Sequence, residues 1–171
     1  MTGNIYLVGL MGSGKTTVGK RLAGILNFKF ADTDQMLEKR TGVTVSHIFE
    51  IEGEMGFRER ESRLLDELSQ HTDRVVSTGG GIVLDPANRS RMRETGTIVY
   101  LHAGMDVLWH RLRDCKTRPL LQTGNPKSRI SELMVERDPL YRENADLVVE
   151  VSSDSAAKTA ARIAAWIKEN H

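Results

Sequence analysis

The octapeptide Gly9-Leu10-Met11-Gly12-Ser13-Gly14-Lys15-Thr16 matches G-x-x-x-x-G-K-[ST] in full. It follows the apolar run Ile5-Tyr6-Leu7-Val8 and opens an amphipathic stretch, so the chain around it must fold as strand, tight loop and helix. Glycines let backbone N–H groups turn inward around phosphate oxygens, and the helix N-terminus adds unpaired donors and partial positive charge. In this motif the lysine bridges β- and γ-phosphates and the hydroxyl after it ligates Mg²⁺. Gly12, Ser13, Gly14, Lys15, Thr16 and Thr17 are therefore the candidate nucleotide residues, with Thr16 also a metal ligand. A glycine-rich turn carrying a solvated lysine is the plainer alternative, and it leaves the full pattern in its required context unexplained.

Short β-rich apolar runs alternate with helical patterns, the rhythm of βαβ units and a mostly parallel sheet. Strands are expected at 5–8, 28–31, 75–77, 98–101 and 147–151, and helices at 15–26, 35–40, 57–69, 86–94, 106–113, 129–137 and 156–169. Asp85 and Pro86 supply an N-cap followed by proline at the first helical position, and Gly96 supplies a stop. Ala156, Ala160, Ile163 and Ile167 form a stripe that can pack on the sheet. Pro139 is expected to interrupt its helix. The polar stretch 114–127, with Pro119, Gly124 and Pro126, shows neither period and reads as a surface loop or a mobile lid.

With 171 residues the chain suits one unit, 1–171, with a substantial core. The balance of 24 Lys+Arg against 23 Asp+Glu, net +1, gives no basic excess for binding a phosphate backbone, so no nucleic-acid partner is expected. Cys115 is alone, which excludes an intrachain disulfide and suits a reducing compartment. No apolar run nears the ~18 residues of a membrane helix, and no Lys or Arg precedes Lys15 to make a secretory leader. The expectation is a cytoplasmic monomer without a membrane partner. A phosphate loop serves motors, switches, transporters and kinases alike. The modest length and the lack of an Asn-Lys-x-Asp signature favour a compact ATP-dependent kinase.

Asp32-Thr33-Asp34 follows the second expected strand, at the sheet edge where ligands of open α/β sheets bind. One carboxylate can hold Mg²⁺ through water and the other can orient an acceptor hydroxyl and take its proton, or either can simply cap the next helix. Arg58 offers a planar fork for a carboxylate, or a helix-face partner for Glu61 or Glu54. Gly79-Gly80-Gly81 removes side chains where backbone meets a small ligand, or forms a flexible turn. The third strand ends Val76-Ser77-Thr78, where many phosphate-loop proteins place a metal-holding aspartate, so that task is expected to move to Asp32.

Taken together, the phosphate loop, Asp32-Thr33-Asp34, Phe57-Arg58-x-x-Glu61, Gly79-Gly80-Gly81, Thr117-Arg118-Pro119-Leu120-Leu121 and Arg137-x-Pro139-Leu140-Tyr141 resemble the shikimate kinase family, from Gly9 to about Val151. The resemblance implies an α/β, three-layer αβα, P-loop kinase-like fold with a central five-stranded parallel sheet of order 2-3-1-4-5, a substrate-binding region at about 32–61 and a mobile lid at about 114–127. It also implies transfer of the ATP γ-phosphoryl group, with Mg²⁺, to the 3-hydroxyl of shikimate in aromatic amino-acid biosynthesis. By position, Asp34 would be the base, Asp32 would join the Mg²⁺ water shell, and Arg58 and Arg137 would grip the carboxylate. Gly80 and Gly81 would meet the ring hydroxyls, with Phe49 and Phe57 near the ring. Arg118 would reach the ATP phosphates from the lid as a catalytic residue beside Lys15 and Asp34, while Arg111 and the loop 152–155, Ser153 included, would border adenine. The family also lacks an aspartate at the end of the third strand.

His47, His71, His102, His110 and His171 show no metal spacing, and Trp109 and Trp166 read as packing residues. Two rival functions remain: a kinase for another small acceptor, such as gluconate or a nucleoside monophosphate, and a non-catalytic nucleotide-binding module. The triglycine and the two arginines argue against the first; the retained Lys15 and Asp34 argue against the second.

Overall fold

Every other element is arranged around a buried parallel sheet. The computed structural model describes residues 3–115, 121, 124–152 and 155–171. Among these, β1 (Asn4–Val8), β2 (Lys29–Asp32), β3 (Arg74–Ser77), β4 (Gly96–Ala103) and β5 (Leu147–Val151) pair in the order β2-β3-β1-β4-β5. All four pairings are parallel. This is the expected order, and β1 lies at its centre with all five residues buried, as a strand covered on both faces requires.

Helices α1 (Lys15–Leu26), α2 (Thr33–Thr41), α3 (Val45–Ser69), α4 (Pro86–Thr95), α5 (Met105–Leu112), α6 (Pro126–Asn144) and α7 (Ala156–Asn170) follow the strands. Asp85 caps α4 by accepting the Ala87 amide at 2.8 Å, with Pro86 at the first position. The α7 stripe is buried at Ala160, Ile163 and Ile167, each isoleucine contributing about 2–3 kcal/mol by its burial. On α1, Gly19 lets the helix sit close to the sheet, since a Cβ there would come 2.6 Å from the Phe30 ring.

Four expectations need correction. First, α2 begins at Thr33, not at 35, because the Asp32 side chain accepts the Gln35 amide and starts the helix two residues earlier. Second, α3 begins at Val45, far ahead of 57. The stretch between carries Gly53 at φ 72°, which kinks the helix, and exposes Ile51 and Met55, so it lacks a continuous apolar stripe. Third, Pro139 does not interrupt α6, which continues to Asn144. Proline removes the hydrogen bond to the carbonyl four residues back; here that belongs to Val135, a residue 76% exposed on the solvent side of the helix. Fourth, the surface loop ends sooner than 127, since Asn125 caps a helix that already contains Pro126 and Lys127.

At the amino end of the sheet, Asn4 is buried and ties three segments together. Its side chain donates to the Leu68 and His71 carbonyls at 3.3 and 2.8 Å and accepts the Arg74 amide at 3.2 Å. Asn4→Ala would strand these partners, so urea denaturation should show a loss of about 2–3 kcal/mol. Ligand affinities should not change, because the carboxyl edge of the sheet lies at the other end.

Candidate active site

The phosphate loop leaves the carboxyl end of β1 with Gly12 and Gly14 in the left-handed region, at φ 81° and 94°, a conformation costly for residues with a Cβ. The turn brings Lys15 back over its own loop. It is 8% exposed, and its ammonium donates to the Gly9 and Leu10 carbonyls at 2.7 and 3.0 Å. Beneath it the Ser13 hydroxyl is buried with no hydrogen-bond partner among the described residues.

Asp32 caps the next helix, as its sequence allowed, and also reaches the phosphate loop. One carboxylate oxygen caps α2 at 3.0 Å and the other accepts the Thr16 hydroxyl at 2.6 Å. Its register partner across the sheet is Ser77. A carboxylate therefore stands one strand away from Ser77 at the same height, hydrogen-bonded to the residue that the loop motif assigns to Mg²⁺. Among the described residues no group of three or more His, Cys, Asp or Glu side chains could hold a metal. A Thr16–Asp32 pair at the lip of a phosphate cradle fits Mg²⁺, which keeps several waters and takes few protein ligands.

The acceptor side is organised by Gly79-Gly80-Gly81, which follows β3. A Cβ on Gly79 would collide with the Glu61 carboxylate, one on Gly81 would collide with the Arg58 guanidinium, and one on Gly80 would lie 3.4 Å from Arg137 Nη1. None of the three has positive φ. These glycines therefore supply space for charged side chains, not the flexible turn considered from sequence. Asp34 reaches the same place from the first turn of α2: a Cβ on Gly79 would stand 3.1 Å from its Oδ1.

Arg58 is the helix-face partner its spacing allowed, and it also lines a cavity. It pairs with Glu61 at 3.1 Å and with Glu54 at 3.2 Å along α3, yet it shares a small cavity with Asp34, Gly80 and Arg137. Arg137 is 2% exposed on α6, and Phe49 and Phe57 close the wall with ring centroids 4.8 Å apart. Burial pushes the Glu61 carboxyl up to about 7, against the pull of Arg58 and with the push of the Asp34 charge. One Glu61 oxygen and the Nε atoms of Arg58 and Arg137 are buried without hydrogen-bond partners among the described residues. Such groups suit a small polar ligand with a carboxylate, since an unmet buried polar atom costs about 1–3 kcal/mol.

A cleft of about 710 Å³ joins this cavity to the phosphate loop, lined by Lys15, Thr16, Asp32, Asp34, Gly79 and Gly80. Across the loop, a cavity of about 320 Å³ lies between Gly12, Thr17, Arg111, Val151, Ala156 and Thr159. Arg111 borders it while donating to the Gly12 carbonyl at 2.8 Å, where the adenine side was expected. Arg118 and Ser153 lie outside the described residues. Two residues were missed as members of the site. Glu61 was legible as the i+3 partner of Arg58, and Tyr141 was legible only as the last letter of a motif; its hydroxyl donates to the Gly80 carbonyl at 2.5 Å.

The shikimate kinase family model matches residues 11–168. The chain belongs to the shikimate kinase family. It is 52% identical to the shikimate kinase of Nitrosospira multiformis over 163 residues, covering 95% of this chain and 84% of that one. Identity to the shikimate kinase of Aromatoleum aromaticum is 56% over 146 residues, covering 85% and 83%. The shikimate kinase of Acinetobacter baumannii, solved in complex with shikimate, superposes with a TM-score of 0.95 at 43% identity, covering 98% of this chain and 94% of that one. No helix among the described residues is long and apolar enough to cross a membrane.

Glu61 makes stability depend on pH in a direction opposite to ordinary carboxylates. Its folded pKa of about 7 lies above the unfolded 4.5, so its contribution is fully present below 4.5 and is lost as pH rises through 7. In paired denaturation curves, wild type should lose about 3 kcal/mol relative to Glu61→Gln between pH 4 and pH 8. A pH-independent difference would show that Glu61 does not titrate in that window.

Proposed function

We propose that this chain transfers the γ-phosphoryl group of ATP to the 3-hydroxyl of shikimate, giving shikimate 3-phosphate and ADP in chorismate biosynthesis. The observation that carries the reading is the meeting of Arg58, Arg137 and Asp34 on the glycine turn, across one cleft from Lys15. Two guanidinium groups on separate helices suit one carboxylate, and a carboxylate beside the phosphate loop suits one acceptor hydroxyl. The shikimate bound to the Acinetobacter baumannii relative supports the same acceptor.

In this reading Arg58 and Arg137 hold the shikimate carboxylate, the backbone of Gly80 and Gly81 meets ring hydroxyls, and Phe49 and Phe57 shape the wall. Asp34 orients the 3-hydroxyl and takes its proton as that oxygen bonds to phosphorus. The bond from phosphorus to the β–γ bridging oxygen breaks, and ADP leaves with the electron pair. Lys15 and the amides of Gly12, Ser13 and Gly14 take up charge on the phosphoryl oxygens, with Thr17 and Arg111 on the nucleotide side. Thr16, and Asp32 through water, would hold Mg²⁺, which when bound would supply positive charge to the phosphates. Arg118 would add a cation to the phosphates from the lid, and Ser153 would border the base. The chain works as a cytoplasmic monomer, and its near balance of 24 basic and 23 acidic residues suits small-molecule partners.

Purified protein with MgATP should release ADP rapidly with shikimate and far more slowly with quinate, gluconate or AMP; equal turnover of gluconate or AMP would sink the assignment. Lys15→Ala should lower kcat by at least ~10²-fold in a folded protein. Asp34→Asn should reduce kcat about 10²-fold at any Mg²⁺ concentration, whereas the Asp32→Asn defect should shrink as Mg²⁺ is raised. Identical responses of the two variants in a metal titration would refute the division of roles.

A further inference from the structure

Tyr141 stands at the junction of two structures that the shikimate reading keeps apart, the glycine turn and the carboxylate grip. It lies fully buried on α6, one turn after Arg137, so the two side chains share a helix face. Its hydroxyl donates to the Gly80 carbonyl, and burial holds the phenol's pKa above its ordinary value, opposed by the Arg137 guanidinium beside it. A Cβ on Gly80 would come 3.4 Å from Arg137 Nη1 and 3.6 Å from the Tyr141 oxygen, so both groups rest against the same backbone atom.

The ring is itself held. It packs on Tyr100 of β4 with centroids 4.8 Å apart and planes tilted by 32°. Tyr100 in turn donates to Asp138 at 2.7 Å, and Asp138 also accepts from Arg142 at 2.9 Å. Space filling would require only the rings, and phenylalanine would serve. The hydroxyl is explained by what it touches: a carbonyl of the turn, and the arginine on the same helix.

We propose that Tyr141 is a positioning residue for acceptor binding, its hydroxyl setting the separation between the Gly80 turn and the Arg137 guanidinium so that both meet one shikimate molecule. The proposal rests on the shikimate reading. Without the hydroxyl, the half-buried Gly80 carbonyl loses its donor and Arg137 loses a neighbour, so acceptor binding weakens while the nucleotide side, on the far flank of the phosphate loop, is untouched.

The test compares steady-state kinetics of wild type, Tyr141→Phe and Tyr100→Phe. Tyr141→Phe should raise KM for shikimate about 10-fold, the loss of one hydrogen bond, with KM for ATP and MgADP affinity within about 2-fold of wild type. Tyr100→Phe deletes a hydroxyl from the same stack without touching Gly80. It should lower Tm and leave KM for shikimate unchanged. Replacing Tyr141 with p-aminophenylalanine or p-methylphenylalanine keeps the ring and its para substituent, so these variants decide the matter even if Tyr141→Phe folds poorly. The amino variant should restore KM to within about 3-fold and the methyl variant should not. Equal KM for the amino and methyl variants, or an equal KM rise in Tyr100→Phe, would overturn the proposal. If wild type does not turn over shikimate, the functional reading falls and takes this proposal with it; normal wild-type turnover with no KM change in Tyr141→Phe removes the proposal alone.

Discussion

The acceptor side depends on how a cluster of charge is accommodated beneath the surface. Glu61 is fully buried, Arg137 nearly so, and Arg58 and Asp34 are half-buried beside them. Desolvating a charge costs several kcal/mol unless it is paired. Here the pairing is incomplete: Glu61 compensates Arg58, but a carboxylate oxygen and two guanidinium nitrogens stay unmet. Three glycines without Cβ atoms are what let this cluster approach the backbone closely. An added methyl would displace Glu61 or Arg58, so the bareness of the turn and the binding capacity of the site are one feature. The unmet groups are a cost borne by the fold.

A second economy lies at the phosphate lip. Asp32 ends β2, caps α2 and accepts the Thr16 hydroxyl. The register of β2 on β3 sets it beside Ser77, so the negative charge reaches the metal side of the loop from a neighbouring strand. The Thr16–Asp32 pair is thereby tied to the glycine turn, because Asp34 lies two residues further on in the first turn of the helix that Asp32 caps. Shifting either strand by one residue would turn the Asp32 side chain to the other face of the sheet.

Much of this was legible in the chain itself. The phosphate loop is local: its glycines, lysine and threonine act through backbone geometry that eight consecutive residues specify. The strands of a parallel sheet leave short apolar runs, and all five lie where those runs are, with bounds that differ by at most two residues at either end. The capping sense of Asp85-Pro86 and the packing stripe of α7 were equally local. The kinked first part of α3 was not legible, because Gly53 breaks its period and its exposed Ile51 and Met55 mimic no core face. Pro139 misled for a related reason: proline forbids one hydrogen bond, and only the solvent exposure of that part of α6 makes the loss tolerable.

What the sequence determined alone was the chemistry available, a phosphate cradle, two acids, two arginines and a run of glycines, and through their ordered motifs the family. What the tertiary structure decided was which alternatives hold at once. Asp32 is both cap and hydroxyl acceptor, Arg58 is both helix-face partner and member of the pocket, and the glycines are spacers and not hinges. The physical reason is distance along the chain. Gly80, Arg58, Arg137 and Tyr141 lie on three separate segments, and their mutual burial, which pushes Glu61 up and puts the Tyr141 hydroxyl on the Gly80 carbonyl, exists only after β3, α3 and α6 have packed together.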